Sequence, residues 1–405
     1  MRGNSNETLL IFQVNPDKNL LQRPVSNKHP ITMISNPNKI LIIRLSAIGD
    51  VLRALPVLRT IKQNFPRSHI AWAVSESAKD LLLHHPDVNE VIVVPLAAWR
   101  SLLKSGHVIR AVGEVAAFIK SIKARQFDLT IDFHGLLKSG LISYLSGAPV
   151  RVSFTREFTR ELNFLFNNCR FPLETDKISR IERNFMLLQK MGLKITDDYP
   201  VIPVSEYDRA AVRTFFQQSR IDLSRPLVVM HPGTSPKTLY KRWEPHRYAV
   251  VADQLIEDYA AQIIFTWGGS ELATVQEITA VMKYQAHVAC ETKSLGQLAE
   301  IFRHCDLYVG GDTGPMHLAA FMKVPVVAIF GPTDYIVNAP YKKTKHIIIR
   351  KEIACSPCRV RDCKKRDCMK AIQDEDVIQA ARLILNAGRS RHDAPPPEAL
   401  TNNNW

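Results

Sequence analysis

Residues 307–317 have the composition of a site that binds an anion. An apolar run at 307–309 predicts a buried strand, which Gly310 and Gly311 end. The residues that follow include types that often begin a helix and a proline that suits its first turn. Because that turn offers free N–H groups and a positive dipole end, it binds phosphate readily. The predicted phosphate site consists of Asp312, Thr313, Gly314, Pro315, Met316 and His317. The alternative is an ordinary strand-to-helix turn capped by Asp312, and His317 could equally be a satisfied core histidine.

A second candidate site is a cluster of cysteines near the C-terminal end. Four of the seven cysteines of the chain belong to it: Cys355, Cys358, Cys363 and Cys368. Four thiolates can hold zinc tetrahedrally, although this spacing differs from that of paired Cys-x2-Cys knuckles. Lysines and arginines are interleaved with the cysteines, so a reduced, basic loop that contacts phosphate is the alternative. This use of cysteine fits a reducing compartment better than a disulfide scaffold.

Two candidate residues follow apolar runs in the first half of the chain. Asp50 comes after Gly49, where a helix is predicted to begin, and an aspartate there commonly caps the helix. His134 stands in Phe133-His134-Gly135, at the end of another predicted strand. It is predicted to contact a substrate or simply to line a cleft.

The elements that must position these residues alternate regularly between strand and helix. Apolar strand-like runs and amphipathic helical patterns alternate over residues 40–132 and again from residue 226. This alternation predicts an α/β protein with an open, right-handed parallel sheet in each half. Two such sheets place a cleft between the carboxyl ends of their strands, where ligands bind.

The predicted organisation has two domains with additional segments at both ends. Tyr199-Pro200 begins an extended linker that runs to Pro203. The expected parts are a flexible arm (1–38), an N-terminal domain (39–203), a C-terminal domain (204–375), a C-terminal helix (376–389) and a disordered tail (390–405). The arm is rich in Asn, Pro and Lys, with one apolar patch at 9–12.

The charge of the chain indicates an anionic partner. Its 405 residues carry a formal net charge of +14, which favours nucleic acid, a membrane surface or a phosphorylated substrate. No known nucleic-acid-binding motif is present, so nucleic acid is not expected. No apolar run approaches the ~20 residues that span a bilayer, and no secretory signal pattern is evident. The absence of GxGxxG after the first strand argues against a dinucleotide-dependent enzyme.

Several separated motifs resemble one enzyme family. Gly311-Asp-Thr-Gly-Pro-Met-His317, with Gly331-Pro-Thr-Asp334 after the next strand, resembles the nucleotide-sugar motif of glycosyltransferase family nine, the ADP-heptose:lipopolysaccharide heptosyltransferases. The segment from Ser46 to Pro56 resembles the first signature of the family. The resemblance covers roughly residues 39–375. It implies the GT-B fold, two Rossmann-like parallel-sheet domains facing a cleft, with the final helix packed back on the first domain.

The resemblance also implies roles for individual residues. Asp50 matches the proposed general base, which would take the proton of the acceptor hydroxyl in an inverting transfer. Thr234, Ser235 and Lys241 match positions that hold the diphosphate of the donor, and Glu271 matches the residue that binds the ribose. Lys241 could instead be a surface lysine, with the neighbouring Arg242 in its place. Glu271 could instead be a helix-terminal carboxylate stabilised by the dipole.

The predicted function is inverting transfer of heptose from an ADP-heptose donor to the inner core of lipopolysaccharide. The anionic acceptor is expected to contact the basic first domain, including Arg53 and His134, at the inner face of the cytoplasmic membrane. We therefore expect a cytoplasmic, peripheral protein without nucleic acid. No cofactor is required, because Lys241 and the helix dipole can replace a metal, and zinc remains possible at the cysteines. The alternatives are transfer of another nucleotide-linked sugar to a different surface glycan, a sugar-nucleotide epimerase of the same fold, and a non-catalytic basic module.

Overall fold

The structure is a computed structural model that describes residues 9–13, 36–358 and 360–392. Its strands are β1 (Leu9–Gln13), β2 (Lys39–Ile43), β3 (His69–Ser75), β4 (Glu90–Val94), β5 (Leu129–Asp132), β6 (Val150–Phe154), β7 (Cys169–Phe171), β8 (Leu227–His231), β9 (Gln262–Phe265), β10 (His287–Val288), β11 (Leu307–Gly311), β12 (Val326–Ile329) and β13 (His346–Lys351). Its α-helices are α1 (Ile48–Leu52), α2 (Pro56–Asn64), α3 (Leu96–Lys104), α4 (Val108–Lys123), α5 (Leu137–Leu145), α6 (Arg180–Lys190), α7 (Glu206–Gln218), α8 (Pro245–Tyr259), α9 (Leu272–Val281), α10 (Leu295–Arg303), α11 (Gly314–Phe321), α12 (Asp367–Lys370) and α13 (Asp374–His392).

The first sheet has six parallel strands in the order β4-β3-β2-β5-β6-β7. Its central strand β2 is buried on both faces. Ile40 and Ile42 pack into one apolar core, and Leu41 and Ile43 pack into another on the opposite face. This alternation explains why the strand is a continuous apolar run, as parallel sheets covered by helices require.

The second sheet has seven strands in the order β1-β13-β12-β11-β8-β9-β10. All of its neighbouring strands are parallel except β1, which pairs antiparallel with β13. The segment 1–38, expected to be a flexible arm, therefore contains a strand at residues 9–13. An apolar patch there can complete the otherwise open edge of β13, since an edge strand presents unpaired N–H and C=O groups. Residues 1–8 and 14–35 lie outside the described residues.

The two halves share a continuous apolar core. Val51 and Leu55 of the first half and Met316 and Leu318 of the second belong to the same buried cluster. Between the halves, residues 193–205 contain no helix or strand. The two sheets are thus held together by packed side chains as well as by the linker.

The C-terminal helix packs on the second sheet, not back on the first domain as the resemblance implied. Val377, Ala381 and Ile384 of α13 are buried in the core formed with α8 and with strands β11–β13. Because α13 presents its apolar stripe to this outer face of the second sheet, its packing stays within that half. The helix runs to His392, beyond the predicted end, and residues 393–405 of the predicted tail lie outside the described residues. In the part of the chain that is described, no helix has both the length and the apolarity to cross a membrane.

Candidate active site

Asp50 lies in the first turn of α1, at the carboxyl edge of the first sheet. The residue that caps this helix is Ala47, and Asp50 makes no capping hydrogen bond, so the interpretation of Asp50 as a helix cap is wrong. Its carboxylate instead accepts from three guanidinium groups. The distances are 2.9 Å to Arg44 Nη2, 2.5 Å to Arg53 Nη2 and 2.8 Å to Arg180 Nη1.

The arginines control the protonation of Asp50. Burial alone would raise the pKa of its carboxyl group, but attraction to Arg44, Arg53 and Arg180 outweighs burial and holds the pKa well below its usual range. Asp50 is therefore ionised at neutral pH. A carboxylate with so low a pKa is also a weak proton acceptor for as long as all three partners remain.

Arg53 connects the two halves across the cleft. Its Nη1 lies 3.0 Å from His317 Nε2 and donates to Asn338 Oδ1 at 3.0 Å. Only 8% of Arg53 is exposed, so it is not part of an open basic surface. The starts of α1 and α11 also meet here, since a Cβ added to Gly49 would lie 3.5 Å from Gly314 Cα. The positive ends of two helix dipoles therefore converge on one place.

His317 is buried and neutral. Burial first, and then the charge of Arg53, lowers the pKa of His317 to about 3. Because a guanidinium group only donates, Nε2 of His317 accepts from Arg53 and its hydrogen is on Nδ1. Among the described residues, Nδ1 has no hydrogen-bond partner. The cleft thus contains a buried N–H donor that a ligand oxygen could satisfy.

Lys241 reaches the start of α11. Its Nζ lies 2.8 Å from Asp312 Oδ2, and its side chain is 18% exposed, so the surface-lysine alternative is wrong. Burial raises the pKa of Asp312, but the charges of Lys241 and Arg53 outweigh it and lower that pKa. The residue that precedes α11 is Thr313, whose side chain makes no capping bond. Gly314 and Pro315 are partly exposed next to it, whereas Met316 is buried.

The loop after β8 supplies two more of the predicted residues. Thr234 is buried, and its Oγ1 has no partner among the residues described. Ser235 is exposed and lies 3.0 Å, Oγ to Oγ1, from Thr238. Arg242 turns away from α11 and donates to Thr274 Oγ1 at 3.0 Å and to the carbonyl oxygen of Thr234 at 3.2 Å. Lys241 rather than Arg242 is therefore the cation at the start of α11.

Glu271 is buried against the same loop. Its Oε2 accepts from Gly268 N at 2.9 Å and lies 3.5 Å from His231 Nε2. Burial raises the pKa of Glu271, and burial lowers the pKa of His231 to about 4. A Cβ added to Gly233 would lie 2.2 Å from the carboxylate of Glu271. The loop can hold Glu271 in this position only because residue 233 is a glycine.

The strand β5 leads to Asp132 and His134. Asp132 is fully buried and accepts hydrogen bonds from His134 N, Gly135 N, Ser139 Oγ and Asn163 Nδ2. These bonds hold the turn and occupy both carboxylate oxygens of Asp132. The ring nitrogens of His134 have no partner in the described part of the chain. Burial, followed by the charges of Arg44 and Lys138, lowers the pKa of His134 to about 3.

Some residues of the cleft were not predicted from the sequence. Arg44 follows a buried strand, and a charge within such an apolar run was a signal that could have identified it. Arg180 lies 130 positions from Asp50 and has no local pattern that connects the two. Arg183 stacks over Phe154 with its guanidinium carbon 4.2 Å from the ring centroid. The sequence around Asn338 and His231 likewise has no pattern from which we predicted a place in the cleft.

The cysteine cluster packs beside the cleft wall. Cys358 N donates to the carbonyl oxygen of Pro332 at 2.7 Å, and Ser356 Oγ donates to that of Gly331 at 2.6 Å. Burial first, and then the neighbouring thiols, raises the pKa of Cys368 to about 11. Within the described ranges, no three His, Cys, Asp or Glu side chains are arranged to hold a metal ion. A metal here would require these side chains to turn and Cys368 to lose its proton.

Two α/β domains with mainly parallel sheets that face a cleft, with helix starts and cations at its edges, have the architecture of the GT-B class. A model of glycosyltransferase family 9 (heptosyltransferase) matches residues 115–369, more than half of the chain. The chain belongs to this family, which confirms the resemblance found in the sequence.

Relatives match over most of their length. Lipooligosaccharide heptosyltransferase 2 of Campylobacter jejuni is 25% identical over 352 residues, which cover 86% of this chain and 98% of that protein. Lipopolysaccharide heptosyltransferase 1 of Pseudomonas aeruginosa is 28% identical over 328 residues, which cover 80% of this chain and 87% of that protein. Among solved structures, Escherichia coli heptosyltransferase WaaC with ADP has a TM-score of 0.65 at 24% identity and covers 85% of this chain and 99% of its own. This structural likeness confirms the predicted fold.

Proposed function

We propose that this protein is an inverting heptosyltransferase that transfers heptose from ADP-heptose to the inner core of lipopolysaccharide. Relatives named as heptosyltransferases support the sugar and the acceptor, and the WaaC structures with ADP and with ADP-2-deoxy-2-fluoro heptose support the donor. The observation that carries the proposal is the meeting of Asp50 on the first domain with the start of α11 on the second.

The donor diphosphate would bind at the start of α11. Lys241 supplies a cation, and the free N–H groups supply donors. The Nδ1–H of His317 and the hydroxyl of Thr234 are buried groups that have no partner among the residues the structure describes. These donors would stabilise the charge that develops on the leaving diphosphate, where a preorganised donor has its largest effect. Glu271 and the loop beside it would hold the ribose. No metal is needed for this step.

Asp50 would be the base in the transfer. As the acceptor oxygen bonds to the anomeric carbon, the bond from that carbon to the diphosphate oxygen breaks, and its electron pair leaves with ADP. The hydroxyl proton passes to Asp50. Since three arginines depress the pKa of Asp50, the reaction requires that this pairing loosen. Carboxylates and phosphates on the acceptor would compete for the arginines and make Asp50 more basic.

The acceptor would lie along a cationic path in the first domain. Lys138 Nζ is 3.5 Å from Ser46 Oγ, next to the start of α1, and the charges of Arg100 and Arg44 both lower the pKa of Lys138 after burial does. Arg100 and Arg44 thus both lie close enough to Lys138 to act on its charge, and we infer that the three cations bind a multiply charged acceptor, with His134 beside Lys138 and Arg44. We place the reaction at the inner face of the cytoplasmic membrane, where a lipid-linked acceptor is presented.

The cysteine cluster is proposed, as a separate point, to bind one zinc ion after its side chains rearrange. Its support is the presence of four thiols in one short segment. Escherichia coli TibC, which matches with a TM-score of 0.51, is described as iron-containing, so elemental analysis should measure both metals. One equivalent of zinc in protein purified without added metal is the expected result. Metal near zero, with four freely titrating thiols, would leave the basic-loop alternative.

The nucleotide specificity of the second domain tests the proposal. In a thermal-shift comparison of ADP, UDP and GDP, we expect ADP to raise the melting temperature most, because a ligand that binds only the folded state stabilises it. A larger shift with UDP or GDP would favour the alternative of a different nucleotide-linked sugar. An epimerase would consume the donor without any acceptor.

A further inference from the structure

Helices α3 and α4 carry an apolar surface that no other part of the described structure covers. The exposed fractions are 53% for Leu103, 52% for Val108, 91% for Ile109 and 62% for Val112. We refer to these four residues as the hairpin tip. A single exposed aliphatic side chain is common on protein surfaces, but a group of them usually marks an interaction surface.

The apolar surface continues along α4 from the hairpin tip into the first domain. Val108, Val112, Val115 and Ile119 follow one another at spacings of four and three residues, so they form one stripe of the helix. The stripe leads into a cavity of about 150 Å³ between α3, α4 and α5, where Val115 and Ile119 join the lining. The tip is therefore the open end of a longer apolar face.

Positive charge surrounds this apolar face. Between residues 96 and 123 the chain has five basic residues and one acidic residue, and the acidic residue, Glu114, is paired with Arg110 at 3.2 Å. Arg100, Lys104 and Lys120 are exposed. Exposed aliphatic residues bordered by Lys and Arg on a helix form the pattern that binds the interface of an anionic bilayer.

The hairpin tip stands on the same side of the first sheet as Asp50. Helix α4 returns to the start of β5 and has 16 residues, which gives a length of about 24 Å. Strand β5 has four residues, which span about 13 Å. The start of α4 therefore extends past the carboxyl edge of the sheet by about 10 Å, the edge at which Asp50 also lies.

We propose that the hairpin tip inserts into the interface of a bilayer that contains anionic lipid, with Arg100, Lys104, Arg110 and Lys120 on its headgroups. The proposal rests on the proposed function, because a lipid-linked acceptor is what brings the cleft to a membrane. The basic residues around the hairpin tip favour an anionic bilayer. They disfavour a second copy of this chain, because the same basic residues on its hairpin tip would repel them. Docking in this orientation holds the acceptor side of the cleft at the membrane surface.

Vesicle sedimentation of the full chain tests this surface. Wild-type protein should sediment with vesicles of phosphatidylethanolamine and phosphatidylglycerol, much less with phosphatidylcholine alone, and less as salt is added. Ile109→Glu with Val112→Glu should lower the partition coefficient on anionic vesicles at least tenfold. A matched control, Leu239→Glu with Val250→Glu, changes two exposed apolar residues of the second domain and should sediment like the wild type.

A second assay separates this proposal from the proposed function. The hairpin-tip variant should transfer heptose to an acceptor oligosaccharide without acyl chains at the wild-type kcat/KM. Because the vesicle assay needs no turnover, it remains interpretable even if no transfer is found. Wild-type sedimentation by the tip variant would overturn the proposal, as would equal binding of wild-type protein to phosphatidylcholine. A wild-type dimer in analytical ultracentrifugation that the tip substitutions dissociate, with vesicle binding unchanged, would identify a second copy instead.

Discussion

Replacement of Asp50 by asparagine separates two functions that one carboxylate performs. In the wild type, Asp50 accepts from Arg44, Arg53 and Arg180 at distances of 2.9 Å or less, and we propose that it takes the proton of the acceptor. Asp50→Asn keeps the size of the side chain but removes both the charge and the basic oxygen. We therefore expect a loss of rate and a loss of stability.

The two losses have different magnitudes and different causes. A positioned base contributes about 10²–10⁴-fold to a rate, or about 3–5 kcal/mol of activation free energy. Removal of one partner from a buried ion pair lowers the free energy of unfolding by about 3–5 kcal/mol. The side chain of Arg180 is 41% exposed and can turn to solvent, so we expect a stability loss at the low end of that range.

Measurement of kcat and of urea unfolding on the same preparations distinguishes the two effects. The double variant Asp50→Asn with Arg180→Gln removes one of the cations that Asp50→Asn leaves unpaired. It should therefore be more stable than Asp50→Asn alone. Its kcat should remain as far below that of Arg180→Gln as the kcat of Asp50→Asn is below that of the wild type. Glu90→Gln is the matched control, since Glu90 is an arginine-paired carboxylate, 2.7 Å from Arg125, on the outermost strand of the same sheet. Recovery of rate together with stability in the double variant would refute the role of Asp50 as base.

Three further predictions concern the second domain. Lys241→Met should weaken ADP binding in calorimetry about 10–100-fold through loss of a charge-assisted hydrogen bond, whereas Arg242→Met should have a smaller effect; the reverse order would contradict the geometry. Gly233→Ala should raise the KM for ADP-heptose, because the added methyl group displaces Glu271; an unchanged KM would separate Glu271 from the donor site. The unfolded chain takes up a proton on His317 below pH ~6.5, whereas the folded chain takes it up only near pH 3. The free energy of unfolding should therefore decrease as the pH is lowered from 6.5 towards 3. His317→Gln should reduce the slope by about 1.4 kcal/mol per pH unit, and an unchanged slope would show that His317 is not buried neutral.

The central elements of both sheets could be predicted from the sequence. The alternation predicted from residue 226 is found in β8 (Leu227–His231) and α8 (Pro245–Tyr259). Buried parallel strands are continuous apolar runs, and a proline at the first helical position fixes the start of a helix. The fold class is confirmed for these physical reasons.

The less regular elements could not be predicted. After β2 the chain forms two short helices, α1 and α2, because Pro56 begins a new helix rather than continuing an old one. Strand β13 (His346–Lys351) was not predicted, and neither was its pairing with β1. Such pairing depends on contacts far apart in the sequence, which a local pattern does not contain.

The candidate site was only partly predictable for a similar reason. The motif around Asp312 and the position of Asp50 are local features that a sequence shows. The arginines around Asp50 come from three separate segments, so their combined effect on its pKa becomes visible only in the structure. The assignment of Asp50 as the base stays a prediction, and our proposal that its arginine partners are drawn away first goes with it.

The most direct test of the central claim is a transfer assay with purified protein, ADP-heptose and a heptose-deficient lipopolysaccharide acceptor, followed by mass spectrometry. We predict that the acceptor gains one heptosyl residue for each ADP released, and that little ADP forms when the acceptor is left out. Release of free sugar from ADP-heptose without an acceptor, or no gain in acceptor mass with active control enzyme alongside, would contradict the proposed function.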